Sequence, residues 1–552
     1  MGEYVRDIGS TPNPALAADG YSSADAFRHD YMLYNLVRKL NVGGSNTSHD
    51  LAIEKFVATD SKLGEVRDRL NNPWLALNEP TTFRILRSAK NKVRRLLGSV
   101  PDLQQIFENS SFSHGASALH KRITGESQFK YSLEYPEVTP LAAPLLQSFV
   151  ERAPLWRECV KGFTLCEYNR VTTVPKDAEI DRPIACEPTL NMYAQKGVGA
   201  VIRQALKSRD IDLDDQTVNQ RLALIGSLTG NLATVDLSAA SDSISIEIVK
   251  LLLPEAWYDL LLMLRCDKGL LPDGREIVYN KISSMGNGYT FELESLIFWA
   301  IAQSCEDSLS EDPGTHLCSV YGDDIVCRSC TVPLLTEVFA VCGFSVNIDK
   351  SFSTGPFRES CGKHYFRGVD VTPVYVRSPI RHVSQYFVFA NELRRWMRSS
   401  LGVDDPRYTS VYQWIVNHLP YSLREPRIPD GFGDGALFGS LDEVKPLFRY
   451  DKKRGTYVYK AKLLTRVRCM CTPKRYEYEN LVEIYKGLGG LISTLNSVQT
   501  EFDPDSTRYS FERPKEDLLV RASKPLTFDR LPVPGHYKYE VRNLVIYEWS
   551  DR

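Results

Sequence analysis

The chain lacks an apolar run of 18 residues. The nearest approach, Leu251–Leu264, is broken by Pro254, Glu255 and Asp259, so no membrane-spanning helix is expected. The 12 cysteines show no disulfide-framework spacing. Met1–Ser10 has three charges and no apolar stretch, so neither export nor oxidised thiols are expected. Arg6 stands where a myristoylation signal following Gly2 needs Ser or Thr. These absences predict a cytoplasmic protein. Net charge is only −2, which neither requires nor excludes a nucleic-acid partner, because a large protein can confine its basic residues to a channel. Internal repeats and low-complexity segments are also missing.

What is present is ordinary globular composition: 43% hydrophobic, 25% charged and 11% aromatic residues. At 552 residues the chain exceeds what one core serves, so several subdomains are expected. The stretch around which the rest is organised is Ser319-Val320-Tyr321-Gly322-Asp323-Asp324-Ile325-Val326. It reads as two short strands joined at Gly322, with two adjacent carboxylates at the tip of a hairpin. Such a pair repels itself unless a cation is near. A solvated turn is the bland alternative, so the partners along the chain decide.

Residues 1–150 are mainly helical in pattern. In Phe83–Leu97, Leu86, Ala89, Val93, Leu96 and Leu97 form one stripe, and Arg84, Arg87, Lys90, Lys92, Arg94 and Arg95 fill the rest. That basic face reads as either solvated surface or one wall of an RNA channel. Thr172–Lys176 and Arg182–Cys186 are predicted strands around a polar turn, followed by a helix near Asn191–Lys207. Asp210, Asp212 and Asp214 mimic the start of a calcium loop, but Asp215 replaces the required Gly and Arg221 the required Glu, which excludes calcium there. Asn231–Ser238 is a strand ending on Asp236, with a helix predicted from about Asp242 to Leu253. Residues 255–282 read as helix and hairpin, turning at Pro272-Asp273-Gly274. Ser283–Gly288 is a glycine-rich loop opening a long helix. After the acidic hairpin come a helix over Pro333–Cys342 and a strand Phe344–Ile348 ending near Lys350. This order predicts an α+β arrangement, an antiparallel sheet backed by helices. From about 380 the pattern is again mostly helical. It includes a basic run, 452–475, interleaved with Tyr457, Tyr459, Tyr476 and Tyr478, which suits either a single-stranded nucleic acid or a solvated face.

If the strands bearing Asp236 and Asp323–Asp324 are neighbours, three carboxylates converge. Such a set suits two Mg²⁺ ions in phosphoryl transfer, with Mn²⁺ as an alternative ion. Lys176 and Arg182, flanking one turn, can meet a triphosphate as point charge and bidentate fork. Within the loop, Ser284, Gly286 and Asn287 are candidates to approach a sugar, since glycine lacks Cβ and Asn both donates and accepts.

Taken together, Asp236…Asp242, Ser284-Met285-Gly286-Asn287-Gly288, Tyr321-Gly322-Asp323-Asp324 and Lys350 resemble motifs A to D of viral RNA-dependent RNA polymerases. Residues 175–378 more narrowly resemble the replicase catalytic subunit of single-stranded RNA bacteriophages of the Qβ type. The runs NLATVDLSAASDSIS (231–245), ISSMGNGYTFELESLIF (282–298) and GPFRESCGKH (355–364) carry the likeness. The resemblance implies template-directed RNA synthesis from nucleoside triphosphates on a right-hand fold of fingers, palm and thumb. Its expected spans are 1–225, with the phosphate-binding motif F near 172–186; 226–380, where 254–282 is a finger-side insertion; and 381–552. It implies Asp236, Asp323 and Asp324 as metal ligands, Lys176 and Arg182 on the phosphates, Asp242 with Asn287 at the 2′-hydroxyl, and Lys350 as proton donor to pyrophosphate. It also implies host elongation factors Tu and Ts and a ribosomal protein as partners, in the cytoplasm of an infected bacterium. One departure touches Asp242: five residues separate it from Asp236, where many viral polymerases have four.

Three rival readings are weaker. A reverse transcriptase usually places a bulky ring five residues after the first Asp, where this chain has Ser241 beside Ala239 and Ala240. A non-catalytic RNA-binding protein has no use for three aligned acids. Zinc on Cys327, Cys330, Cys361 and His364 is disfavoured, because residues three apart on a strand face opposite ways. Cys469-x-Cys471 has no second pair nearby.

Overall fold

The computed structural model describes residues 13–36, 38–40, 46–72, 74–113, 115–120, 127–176, 180–314, 318–377, 379–380, 383–398, 402–426, 428–431, 433–444, 449–452, 456–468 and 537–547. Two compact units divide the chain, the first reaching Tyr375 and the second starting at Val376.

The first unit begins with helices α1 (Ala24–Asn35), α2 (Asn46–Leu70) and α3 (Pro80–Leu97). Helix α3 carries the expected stripe: Ile85, Leu86, Ala89 and Val93 are buried, while Arg84, Arg87, Lys90, Arg94 and Arg95 are exposed. Pro80 starts it at a position where no backbone N–H is needed, and Gly98 ends it at φ 73°. Strands β1 (Tyr168–Pro175) and β2 (Asp181–Cys186) form an antiparallel hairpin with Pro175 opposite Asp181. Helices α4 (Thr189–Lys207) and α5 (Thr217–Thr229) follow, and α5 stops at the left-handed Gly230. Before α5, Asp212 and Asp215 accept local backbone N–H groups as turn caps.

Strand β3 (Leu232–Val235) leads to Asp236. The helix predicted from Asp242 starts later, as α6 (Ile246–Leu252), because the Ser245 side chain caps it by accepting from the Ile248 N–H at 3.1 Å. Asp242 therefore lies in a tight turn, Ala240–Asp242. Helix α7 (Glu255–Leu264) and the hairpin β4 (Lys268–Leu270) and β5 (Glu276–Val278) come next. Strand β4 pairs in parallel with β1, giving a four-stranded sheet of order β2-β1-β4-β5.

Helix α8 (Thr290–Leu309) is buried on nearly all sides from Thr290 to Glu306, and the carboxylates it buries are held by partners, as Glu306 is by Arg328 and Glu292 by Arg203. Strands β6 (Ser319–Tyr321) and β7 (Asp324–Arg328) are the acidic hairpin, and β7 lies centrally in an antiparallel sheet of order β3-β7-β6. Helix α9 (Val332–Cys342) ends at Gly343. Ser345–Val346 then pairs with Leu237–Ser238, and Ile348–Lys350 forms a turn rather than the predicted strand end. A hairpin of β8 (Phe357–Ser360) and β9 (Lys363–Phe366) completes this region. Val235, Ile325, Leu293, Ile297, Val93 and Phe339 belong to one buried cluster, so helices α3, α8 and α9 back the strands that carry the acids. The unit is a mixed α/β structure with several small sheets.

In the second unit, helices α10 (Val383–Met397) and α11 (Thr409–Asn417) agree with the helical expectation. Further on it fails. Residues 449–468 form β10 (Arg449–Asp451) and the long β11 (Thr456–Arg468), which pairs with β12 (Tyr537–Tyr547). The run Thr456-Tyr-Val-Tyr-Lys-Ala-Lys-Leu-Leu-Thr-Arg-Val-Arg468 is rich in aromatic and β-branched residues and largely alternates, a period of two. Lys474, Arg475, Tyr476, Tyr478, Cys469 and Cys471 lie outside the described residues.

Candidate active site

Register brings the acids together. Val235 on β3 faces Ile325 on β7, so one step outward Asp236 stands opposite Asp324. On its other side Asp324 pairs with Tyr321, which leaves Gly322-Asp323 as a two-residue turn. Gly322 has φ 61°, and a Cβ there would lie 2.6 Å from Phe291 Cε2 on α8. Only glycine both turns the chain and lets it sit against that helix.

The electrostatics follow from this crowding. Burial raises Asp236 to about 6; the Asp323 charge adds to the rise, while Lys350 and a hydrogen bond from Asn347 oppose it. Burial raises Asp324 to about 7, helped by Asp323 and Asp236 and opposed by the Cys361 backbone N–H. The half-buried Glu359 pushes both the same way. Asn347 Nδ2 donates to Asp236 Oδ1 at 2.9 Å, and the Asp236 N–H donates to Ser351 Oγ at 3.1 Å. Asp324 turns towards the β8–β9 hairpin, where Ser360 Oγ donates to its Oδ1 at 3.3 Å. Adjacent residues thus point differently, and among the described residues no three His, Cys, Asp or Glu side chains gather into a finished metal cage. The chemistry of the donors still fits a hard divalent ion, since oxygen ligands raised by mutual repulsion are relieved by positive charge. Mg²⁺ in particular completes its shell with substrate phosphates and water.

Lys350 is exposed in its turn, close enough for its charge to act on Asp236. Lys176 and Arg182 are both exposed at the turn end of the β1–β2 hairpin. The hairpin belongs to a different sheet from the strands that bear the acids. The hairpin is nevertheless tied to the glycine-rich loop, because the Ala185 N–H donates to the Met285 carbonyl at 2.8 Å. Gly286, at φ 111°, sits so near that a Cβ would be 2.2 Å from the Ala185 carbonyl oxygen. Ser284 is buried, its carbonyl accepting from Asn287 N–H at 3.1 Å and Thr290 Oγ1 at 3.0 Å.

No hydrogen bond joins Asp242 to the Asn287 amide. Asp242 Oδ1 instead accepts from Lys281 Nζ at 2.9 Å. Asn287 Oδ1 accepts from the Tyr289 N–H at 3.0 Å, while its buried Nδ2 has no partner. A buried lysine is the stronger claimant for the carboxylate, since an unpaired cation costs more to bury than an unpaired amide. Ser241 donates to Glu294 Oε2 at 2.7 Å, so this small residue is fixed in place. The cysteines and histidine weighed for zinc stay apart: Cys330 is exposed, Cys327 is buried in β7, and His364 Nδ1 is 2.7 Å from the Tyr31 hydroxyl.

Sequence reasoning missed Lys281, Glu294, Asn347 and Glu359. Only Lys281 left a trace, by falling in alternation with Ile277 and Tyr279 on the inward side of its strand.

Comparison with known proteins places the chain in a class. Residues 10–505 match the model of the RNA replicase beta-chain family, so the chain belongs to that family. Among individual relatives, the RNA-directed RNA polymerase subunit beta of Escherichia virus Qbeta is 44% identical over 423 residues, covering 76% of this chain and 70% of that one. The subunit of the same name from Enterobacteria phage SP is 44% identical over 422 residues, 75% of this chain and 72% of that one. The RNA-directed RNA polymerase beta chain of Enterobacteria phage GA is 32% identical over 512 residues, 91% and 88% of the two chains. The family resemblance read from the three sequence runs is borne out.

Proposed function

We propose that this chain is the polymerising subunit of a single-stranded RNA phage replicase, an RNA-directed RNA polymerase working by two-metal nucleotidyl transfer. The observation that carries the mechanism is the register setting Asp236 opposite Asp324, with Asp323 in the turn between β6 and β7. In this reading residues 1–225 supply the fingers, 226–380 the palm and 381–552 the thumb. That β4 and β5 join the finger strands β1 and β2 in one sheet supports reading 254–282 as a finger-side insertion.

Asp236, Asp323 and Asp324 would hold two Mg²⁺ ions, or Mn²⁺ in their place. When bound, such ions lower the pKa of the attacking 3′-hydroxyl and stabilise the leaving pyrophosphate. Asn347 orients the Asp236 carboxylate, and Ser360 orients that of Asp324. Arg182 and Lys176 bind the triphosphate from the hairpin end. Lys350 donates a proton to pyrophosphate. Ser284 and Gly286 shape the loop so that Asn287 and Asp242 meet the ribose. Template RNA and nucleoside triphosphates are the substrates. Host elongation factors Tu and Ts and a ribosomal protein complete the assembly in the bacterial cytoplasm, which co-purification from the host tests. No helix among the described residues is long and apolar enough to cross a membrane.

The test is nucleotide incorporation on an RNA template by Asp236→Asn and Asp323→Asn. Each should lose roughly 10²-fold or more in rate, since one ligand charge is gone at the reacting centre. Thermal unfolding should show an intact fold. Near-normal incorporation by either variant sinks the metal assignment.

A further inference from the structure

Lys281 is a fully buried cation beside this site that the proposed mechanism does not use. Its side chain is 0% exposed, and its ammonium is 2.9 Å from Asp242 Oδ1. Every other part of the residue is also fixed. The N–H donates to Asp60 Oδ1 at 3.2 Å, and the carbonyl accepts from Arg265 at 2.9 Å. The flanking backbone pairs with residues 244–246, through Ile246 N–H to the Asn280 carbonyl at 3.0 Å and Ile282 N–H to the Ile244 carbonyl at 2.9 Å. Phe56 lies one helical turn before Asp60 on α2, and the Lys281 ammonium sits 3.3 Å from the centre of its ring. Burial pulls this ammonium below the ordinary lysine range, and the charges of Asp242 and Asp60 pull the other way.

A lysine so completely enclosed has one side-chain acceptor, Asp242, and the chain then runs directly from it into the loop bearing Asn287. The ion pair occupies Oδ1 of Asp242 and fixes the direction of its carboxylate, on a side chain that is 13% exposed. The second carboxylate oxygen stays available as an acceptor, to which a 2′-hydroxyl can donate. Without the lysine, the carboxylate loses its anchor and its direction.

We infer that Lys281 is a positioning residue for sugar selection: its buried cation fixes Asp242 so that the second carboxylate oxygen stays open to a ribose 2′-hydroxyl. This rests on the reading of Asp242 and Asn287 as the ribose subsite. The residue does not touch substrate. It acts through the carboxylate it holds, and the segment Asn280–Ile282 transmits its position to the loop.

The experiment is single-nucleotide extension with paired ribo- and deoxyribonucleotides on one RNA template, for wild type, Lys281→Met, Lys281→Arg, Asp242→Asn and the double variant Lys281→Met with Asp242→Asn. Lys281→Met should narrow the ribo-to-deoxy ratio of kcat/KM by about 10- to 150-fold, the range of a lost hydrogen bond to a charged group. Most of that change should fall on the ribonucleotide. Lys281→Arg, which keeps the charge, should recover part of the ratio. The double variant should be no worse than the poorer single, because both act on one contact. If Lys281→Met does not fold, Lys281→Gln takes its place with the same expected loss. A changed ratio in Asp242→Asn with a wild-type ratio in folded Lys281→Met or Lys281→Gln overturns the positioning role alone. An unchanged ratio in both Asp242→Asn and the lysine variants overturns the ribose reading and the inference with it.

Discussion

At the residue scale, the acids proposed to carry the chemistry were legible because each borders an apolar run, where a strand stops or starts. The groups that tune them were not. Glu294 sits mid-helix among apolar residues, and nothing in its own sequence says that it will lie beneath the Gly322 turn. Burial raises it to about 8, with the Ser241 hydrogen bond opposing and the Asp323 charge adding to the rise. In the unfolded chain the same carboxyl ionises near 4.5. Between those values the folded protein binds the extra proton, so stability should fall as pH rises from about 4.5 to about 8. Glu294→Gln should flatten that slope, which for one such group is on the order of 1 kcal/mol per pH unit, and should leave the variant the more stable at pH 8. Chemical denaturation of both proteins at several pH values measures it. Parallel slopes would mean that Glu294 is ionised in the native state.

Among elements, periodicity located the helices α3, α4, α8 and α9 and the strands β1, β2, β3, β6 and β7 to within a few residues. It failed where two signals compete. Basic residues between 452 and 475 masked the alternation of β11, whose partner β12 lies some seventy residues further on and could not be read locally. A serine cap moved the start of α6 past Asp242. The glycine-rich loop was legible as a loop, but its reason was not: Gly286 is required by the β2 carbonyl pressed against it. Gly286→Ala would set a methyl group 2.2 Å from the Ala185 carbonyl oxygen at φ 111°. The hydrogen bond between Ala185 and Met285 must then open, at a cost of about 2–4 kcal/mol from clash, strain and the lost bond together. Gly274→Ala is the control, since Gly274 has φ 88° but nothing within 4 Å of its added carbon. It should cost only about 1–2 kcal/mol, the left-handed penalty alone. Denaturant midpoints with equal m-values distinguish the two, and equal losses would mean that loop and strand are not in tight contact.

For the whole molecule, what matters is how the fold handles like charges. A net charge of −2 says nothing of RNA, yet the native chain gathers Asp236, Asp323 and Asp324 at one end of a sheet while an unfolded chain scatters them. Anything that binds the native cluster and not the unfolded chain must stabilise the entire first unit. The gain grows as RT ln(1 + [L]/Kd), about 2.7 kcal/mol at a hundredfold excess over the dissociation constant. Mg²⁺ titrated into the protein in EDTA-cleared buffer at pH 8 should therefore raise the unfolding midpoint by a few degrees. Asp236→Asn should start from an equal or higher midpoint without Mg²⁺, because one repelling charge is gone, and should respond to the ion much less. At pH 5 the wild-type response should shrink too. Asp236 and Asp324, raised to about 6 and about 7, are then protonated and no longer ligate a cation. Scanning calorimetry at the two pH values makes the measurement without relying on enzymatic turnover. A wild-type midpoint indifferent to Mg²⁺ at pH 8 would show that the three acids do not form an ion site in the free protein, and that the metals arrive only with the nucleotide.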